Sequence, residues 1–254
     1  MDTAFYDRLA PDYHLLYPDW ERAVARQGAA LAAVLHAHGV ASGDPVLDAA
    51  CGIGTQTLGL IAQGFALTAS DLSPGAVTRL QQELDARGLH ATLRVDDLRR
   101  LSGTATGSQA AVLACDNSLP HLLSDAEVLQ AFASAWRCLR PGGLLLISVR
   151  DYAAIPRVSP DVRPYGARRD AEGRRFLAVQ VWEWDGDCYD LRLYRTVEHP
   201  DGRCDTEVLH SRYRAITLDR LAELMAEAGF EAIERRDDVL FQPVLLGRKP
   251  AAPA

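Results

Sequence analysis

The sequence predicts an α/β fold in which a doubly wound, mostly parallel sheet of seven strands is interrupted by an inserted antiparallel β-subdomain. Three observations carry this expectation. Apolar runs alternate with helical patterns from residue 46 to residue 149, and the first run breaks into the glycine turn Cys51-Gly52-Ile53-Gly54. Between residues 176 and 215 the alternation gives way to strand-like runs joined by short turns.

Taken in order, residues 21–38 place Val24, Leu31, Val34, Leu35 and His38 near one helical face, and Gly39 ends the pattern. A strand at 46–49 leads to a helix at 55–63, a strand at 65–70, and a helix with Ser73 as N-cap, Pro74 in its first position and Gly88 beyond its end. Strands at 91–95 and 110–115 follow. A helix then opens with the capping box Ser124-x-x-Glu127 and closes near Pro141-Gly142-Gly143, before a strand at 144–149. Residues 176–184, 189–198 and 204–215 read as antiparallel strands separated by the turns Asp185-Gly186-Asp187 and Pro200-Asp201-Gly202. A helix at 218–228, stopped by Gly229, and strands near 230–235 and 239–246 complete the sheet.

The chain therefore reads as one domain. An N-terminal helical cover spans 1–40, a ligand-binding core 41–150, a loop and β-insert 151–215, and a closing helix with strands 216–249. Within the insert, 150–174 reads as a long connection of the kind used for lids.

Composition narrows the function classes. The 254 residues are 48% hydrophobic, enough for a full core. Net charge is −7, Lys249 is the single lysine, and no basic tract or face suggests nucleic acid. The pairs Arg168-Arg169 and Arg174-Arg175 are interleaved with acids and read as a solvated loop. No apolar stretch approaches the length of a membrane helix, and residues 1–13 lack the basic-then-apolar order of a signal peptide. The five cysteines, Cys51, Cys115, Cys138, Cys188 and Cys204, are scattered, which fits a reducing cytoplasm. Neither they nor His36, His38, His90, His199 and His210 show ligand spacing, so no metal is expected.

The glycine turn is the most informative stretch. A buried strand ends at Asp48, and glycines let the backbone turn sharply and approach a ligand closely at Gly52 and Gly54. The second strand ends at Asp71, where a carboxylate can accept hydrogen bonds from both ribose hydroxyls. Thr57 stands where a dinucleotide loop would want its third glycine, which disfavours NAD.

Asp48-Ala-Ala-Cys-Gly-Ile-Gly-Thr followed by Asp71 resembles the first motifs of class I S-adenosylmethionine-dependent methyltransferases, over residues 46–149. The resemblance implies a Rossmann-like sheet, S-adenosyl-L-methionine as cofactor, and cofactor contacts from Asp48, Ala50, Gly52, Gly54, Asp71, Leu72, Asp96, Asp97, Cys115 and Asp116, with Asp96 toward the adenine amino group and Asp97 a backbone contact to the ring.

The stretch Cys115-Asp116-Asn117-Ser118-Leu119-Pro120-His121-Leu122, with Val149-Arg150-Asp151-Tyr152, is similar to glycine and sarcosine N-methyltransferases. That similarity implies that Asn117 and Arg150 hold a substrate carboxylate, a task suited to the two parallel donors of a guanidinium. Tyr152 is expected to shape the transfer site, Tyr6, Tyr13 and Tyr17 to close over the sulfonium, and Tyr194 and Tyr213 to enter the same pocket from the insert. His121 reads as a structural turn residue with no catalytic role. Asp116 stands where the resemblance expects a small neutral residue, and an acid there favours a cationic amine.

The expected activity is methyl transfer to the amine of an amino acid or related carboxylate. O- or C-methylation, S-adenosylmethionine binding without catalysis, and NAD-dependent oxidoreduction stand as alternatives. Methyl transfer is an in-line displacement that requires alignment more than a strong base. The expected partner is a small-molecule acceptor, with no nucleic acid or membrane, and the composition is compatible with a homo-oligomer.

Overall fold

The computed structural model describes residues 3–170 and 172–251, so residues 1 and 2 of the expected cover lie outside the described residues. In the main sheet β1 (Pro45–Asp48) is paired in parallel with β2 (Ala66–Asp71) on one side and with the central strand, β4 (Gln109–Ala114), on the other. Beyond β2 comes β3 (Thr92–Val95), and beyond β4 come β5 (Leu139–Ser148), β11 (Val244–Arg248) and β10 (Glu231–Arg236). Only β11 runs against its neighbours. The strand order reverses between β1 and β4, which is where a doubly wound sheet opens a crevice for ligands at its carboxyl ends. Covered on both faces, β4 is buried at every position, as its apolar run after Gln109 requires.

Helix α1 (Ala4–Leu9) crosses the carboxyl edge of this sheet, and α2 (Trp20–Ala37) packs against α3 (Thr55–Ala62). The α2–α3 approach depends on two glycines: a Cβ on Gly28 would lie 2.5 Å from the Gly59 backbone. In α4 (Pro74–Arg87), Ser73 Oγ accepts from Ala76 N at 3.0 Å and Gly88 takes φ +61°, so both ends follow the expected caps. In α5 (Asp125–Cys138), Ser124 Oγ accepts from Glu127 N at 3.3 Å, while Glu127 reaches back to Leu123 N.

Three expectations are corrected. Helix α5 stops at Cys138 rather than near Pro141, because β5 already begins at Leu139; Lys249 Nζ donates to Trp136 O and Leu139 O at 2.8 and 2.7 Å, satisfying carbonyls at this end. The stretch 150–174 is not an open loop. It holds a 3₁₀ turn (Tyr152–Ala154) and a strand, β6 (Asp161–Arg169), on the edge of a four-stranded antiparallel sheet with β7 (Arg175–Asp185), β8 (Cys188–Glu198) and β9 (Cys204–Arg214). Pro164 and Gly166 mask β6 in the sequence; both sit at a register shift on an edge strand, where a missing donor is tolerated. The two arginine pairs therefore flank the β6–β7 hairpin turn. After α6 (Leu218–Glu227), residues 239–243 are irregular and β11 starts only at Val244.

In the second sheet the inward positions alternate along β7 and the first half of β8. Phe176, Ala178 and Trp182 of β7 with Tyr189, Leu191 and Leu193 of β8 turn to one face, and that face packs with α1 and the carboxyl ends of β4 and β5 in one hydrophobic cluster. The insert thus roofs the crevice. Among the described residues no helix is long and apolar enough to cross a membrane.

Candidate active site

After β1 the chain turns on Gly52 (φ +51°) and Gly54 (φ +96°), conformations that L side chains rarely adopt. The two glycines do different work. A Cβ on Gly52 would meet nothing within 4 Å, leaving open space above the turn, whereas one on Gly54 would strike Leu80. Asp71 at the end of β2 fixes the turn from below, its Oδ2 accepting from Gly52 N and its Oδ1 from Ser73 N, both at 2.9 Å. Burial pushes the Asp71 carboxyl up, opposed by those backbone donors. The cleft above is lined by Ala50, Gly52, Asp71, Leu72, Asp97, Cys115 and Asp116 from the expected set, and by Thr55, Gln56 and His121 in addition.

A second cavity of about 270 Å3 adjoins it, bounded by Arg26, Gln27, Asn117, Arg150, Tyr165, Gln180, Tyr213 and Gln242 among others. Tyr6, Tyr13, Tyr17 and Asp116 line both spaces, so they form the wall through which one opens toward the other. An N-terminal strap brings the tyrosines there. Asp7 Oδ1 accepts from Ser73 Oγ at 2.5 Å and Gly75 N at 2.8 Å, docking α1 on the start of α4, and Arg195 holds Asp12 at 2.9 Å from the β8 side.

The end of β4 is bent into place. Asp116 and Asn117 both adopt positive φ, +55° and +69°, held by Asp116 N donating to Ser148 Oγ (2.8 Å) and Asn117 N to Ser148 O (3.0 Å). Asp116 Oδ2 accepts from Tyr17 OH and Gln56 Nε2, each at 3.0 Å, and its Oδ1 is buried without a partner. Burial pushes this carboxyl up, and the Gln56 and Tyr17 donors and the Arg150 charge oppose the shift. Gln27 Nε2 and Gln242 Oε1, on the same cavity's walls, are also buried and unpartnered.

Arg150 is the more buried of the two cations, Arg26 and Arg150, that line the cavity. Its guanidinium lies 5.3 Å from the Trp182 ring centroid, among Tyr152, Tyr165, Tyr189 and Tyr213, and no carboxylate among the described residues lies within 4 Å of it. Burial opposes its charge, but a guanidinium is too basic to lose its proton here, so it stays charged. Tyr6 OH bonds His121 Nε2 at 2.8 Å and Tyr213 OH at 3.0 Å. Burial, with Arg150 nearby, pushes His121 down to about 3, so its ring is neutral and serves the Tyr6 hydroxyl; Tyr213 is pushed up to about 12 by burial and stays protonated.

Several expected site residues stand elsewhere. Asp48 is fully buried under the turn, accepting from Thr57 Oγ1 at 2.7 Å, and does not line the cleft. Gly54 serves helix packing. Asp96 is turned away: its carboxylate binds Asp97 N and Gly103 N at 2.8 Å, and Asp97 lines the cleft in its place, with its own carboxylate held by Arg99. Asn117 borders the cavity, but its amide is engaged, Nδ2 donating to Tyr152 OH at 2.9 Å and Oδ1 accepting from Arg150 N at 3.1 Å, so it positions Arg150. Tyr152 is buried behind it, bonded to Tyr189 OH at 2.9 Å. Tyr194 is exposed, because strand alternation sends Leu193 inward. Sequence reasoning missed Gln27, Gln56, Tyr165, Gln180 and Gln242; no local motif marks them, and they meet only through tertiary packing.

A family model for the methyltransferase domain matches residues 46–143, from β1 through the glycine turn to the start of β5. The chain is 30% identical over 218 residues to a glycine/sarcosine N-methyltransferase of Parasynechococcus marenigrum (strain WH8102), covering 85% of this chain and 72% of that relative. It belongs to the class I S-adenosylmethionine-dependent methyltransferases. Its fold is shared with the crystal structure of DesVI from Streptomyces venezuelae (TM-score 0.77, 20% identity, 90% of this chain and 92% of that one). CalS10, an amino pentose methyltransferase from Micromonospora echinaspora solved with S-adenosylmethionine bound, is similar at TM-score 0.74 and 19% identity over 89% and 91% of the two chains. This methyltransferase takes S-adenosylmethionine as its cofactor, and the open space over Gly52 and the acceptor-only carboxylate of Asp71 suit a nucleoside with a ribose diol.

Proposed function

We propose that this methyltransferase N-methylates a small acceptor carrying both an amine and a carboxylate, an amino acid or a close relative of one. The observation that carries the reading is Arg150, a half-buried guanidinium with no carboxylate partner among the described residues, in a cavity that shares its wall with the cofactor cleft. A guanidinium withdrawn from bulk water and left unpaired is best satisfied by a bidentate carboxylate ligand. The similarity to a glycine/sarcosine N-methyltransferase supports the same acceptor chemistry.

In this reading Gly52, Asp71, Leu72 and Asp97 would hold the cofactor, with Asp71 accepting from the ribose hydroxyls. Bound S-adenosylmethionine supplies a methyl carbon made electrophilic by its sulfonium. Arg150, oriented by Asn117 and Tyr152, anchors the acceptor carboxylate and so fixes where the amine lies. Tyr6, Tyr13 and Tyr17 exclude water from the passage between the two spaces, and their hydroxyls stay protonated because burial pushes them up.

The test is a screen of amino acids, their decarboxylated amines and amino sugars, read by product mass, followed by Arg150→Met with the best acceptor. The expected result is a carboxylate-bearing acceptor whose KM rises about a hundredfold in the variant while S-adenosylmethionine affinity holds. Preference for decarboxylated amines, or an unchanged KM, overturns the reading.

A further inference from the structure

We infer that Asp116 is the residue that receives the acceptor's amine, its Oδ1 first pairing with the incoming ammonium and then taking its proton. The inference rests on the amino-acid reading above and adds to it a catalytic role. Four observations converge on this carboxylate. It lines both the cleft and the cavity, so it borders the place where the methyl group must pass. Its backbone is held in a left-handed conformation by two hydrogen bonds to Ser148, which aims the side chain at that passage. Its Oδ2 is occupied by two neutral donors, Tyr17 OH and Gln56 Nε2, leaving the charge uncompensated by any ion pair. Its Oδ1 is buried with no partner among the described residues, an arrangement that a ligand donor would relieve.

The chemistry requires such a group. An amino acid enters at neutral pH as a zwitterion, and an ammonium has no lone pair to offer a methyl carbon. In the step proposed, one N–H bond of the ammonium breaks, an O–H bond forms on Asp116 Oδ1, and the electron pair stays on nitrogen. The proton leaves to solvent after product departs. Arg150 and Asp116 then read the two ends of one zwitterion. The groups facing Asp116 are Tyr13 and Tyr17 from the strap, Asp48 from β1, Cys115 beside it and Arg150 from the end of β5. Of these only Arg150 carries a charge favouring the carboxylate; burial outweighs it and makes Asp116 a stronger base than an ordinary aspartate.

Glycine is the probe, since it carries the two recognised groups and little else, and acetate is its counterpart without the amine. Titrated into protein loaded with S-adenosylhomocysteine, glycine should bind wild type at least tenfold more tightly than acetate. Asp116→Asn should abolish that preference, and its methyl transfer to glycine should fall about a hundredfold at neutral pH and rise about tenfold per pH unit above it, where wild type is flat. An unchanged preference overturns the proposal. So does a lost preference without the new pH dependence, which removes the proton step. If the variant does not fold, wild type decides alone: release of one proton to buffer per glycine bound overturns the proposal, and retention of that proton supports it. Failure of wild type to bind either ligand overturns the amino-acid reading itself, and the role of Asp116 with it.

Discussion

The two halves of the site are built in different ways. The cofactor half is made of backbone and of residues near one another in the chain: a glycine turn, the Asp71 carboxylate that clamps it, and the N-terminus of α4. The proposed acceptor half is made of side chains from six separate segments: the N-terminal strap, α2, the end of β4, the end of β5, the inserted sheet and the stretch before β11. Backbone groups come with the fold, so the first half persists wherever the strand–turn–helix unit persists. Side chains on separate elements can be exchanged one at a time, so the second half is where specificity is set. In the proposed reading the methyltransferase carries a general donor site and an individual acceptor site, meeting at Tyr6, Tyr13, Tyr17 and Asp116.

This contrast is open to test, beginning with the largest effect. Gly28→Ala forces a methyl group into the Gly59 backbone and displaces α3, the helix that carries the glycine turn. Despite a gain of about 1 kcal/mol in helix propensity it should destabilise the fold by about 2–3 kcal/mol in urea titration and weaken S-adenosylmethionine binding as well. Wild-type stability would show that the donor half does not depend on backbone contact. Asn117→Ala removes the amide that joins Tyr152 to the Arg150 backbone, and kcat/KM for the acceptor should fall on the order of 30-fold, about 2 kcal/mol. Cofactor affinity should stay put, and an equal loss there would erase the division between the halves.

Asp71→Asn should do the reverse, weakening cofactor binding by about 1–2 kcal/mol with little change in acceptor KM, as measured by calorimetry and initial rates. Asp48 offers a test of another kind, a dependence on pH. Burial pushes its carboxyl up to about 7, above the unfolded value of about 3.9. The folded state therefore holds the proton more tightly than the unfolded state. The contribution of Asp48 is intact below the unfolded value and is lost as pH rises through the folded one. The melting temperature of Asp48→Asn relative to wild type should climb between about pH 4 and pH 7, and a constant difference would remove Asp48 from the account.

Sequence by itself determined the parallel core, the glycine turn, the caps Ser73, Gly88 and Ser124, the antiparallel insert and the class of cofactor. The structural features rest on spacing within a few residues, where hydrophobic period, φ preference and capping act directly on the chain, and the cofactor follows from the resemblance of the glycine turn and Asp71 to the family's motifs. Strand β6 escaped that reading because Pro164 and Gly166 break the local signal while pairing with β7 restores the strand. Tertiary structure alone decided that Asp97 rather than Asp96 faces the cleft, that Asn117 serves Arg150, that Tyr194 points outward, and that Gln27, Gln56 and Asp116 form one polar chain across 60 residues between Gln56 and Asp116. These outcomes depend on which side chains meet when distant segments close over the sheet, and on which buried polar atoms are left without partners.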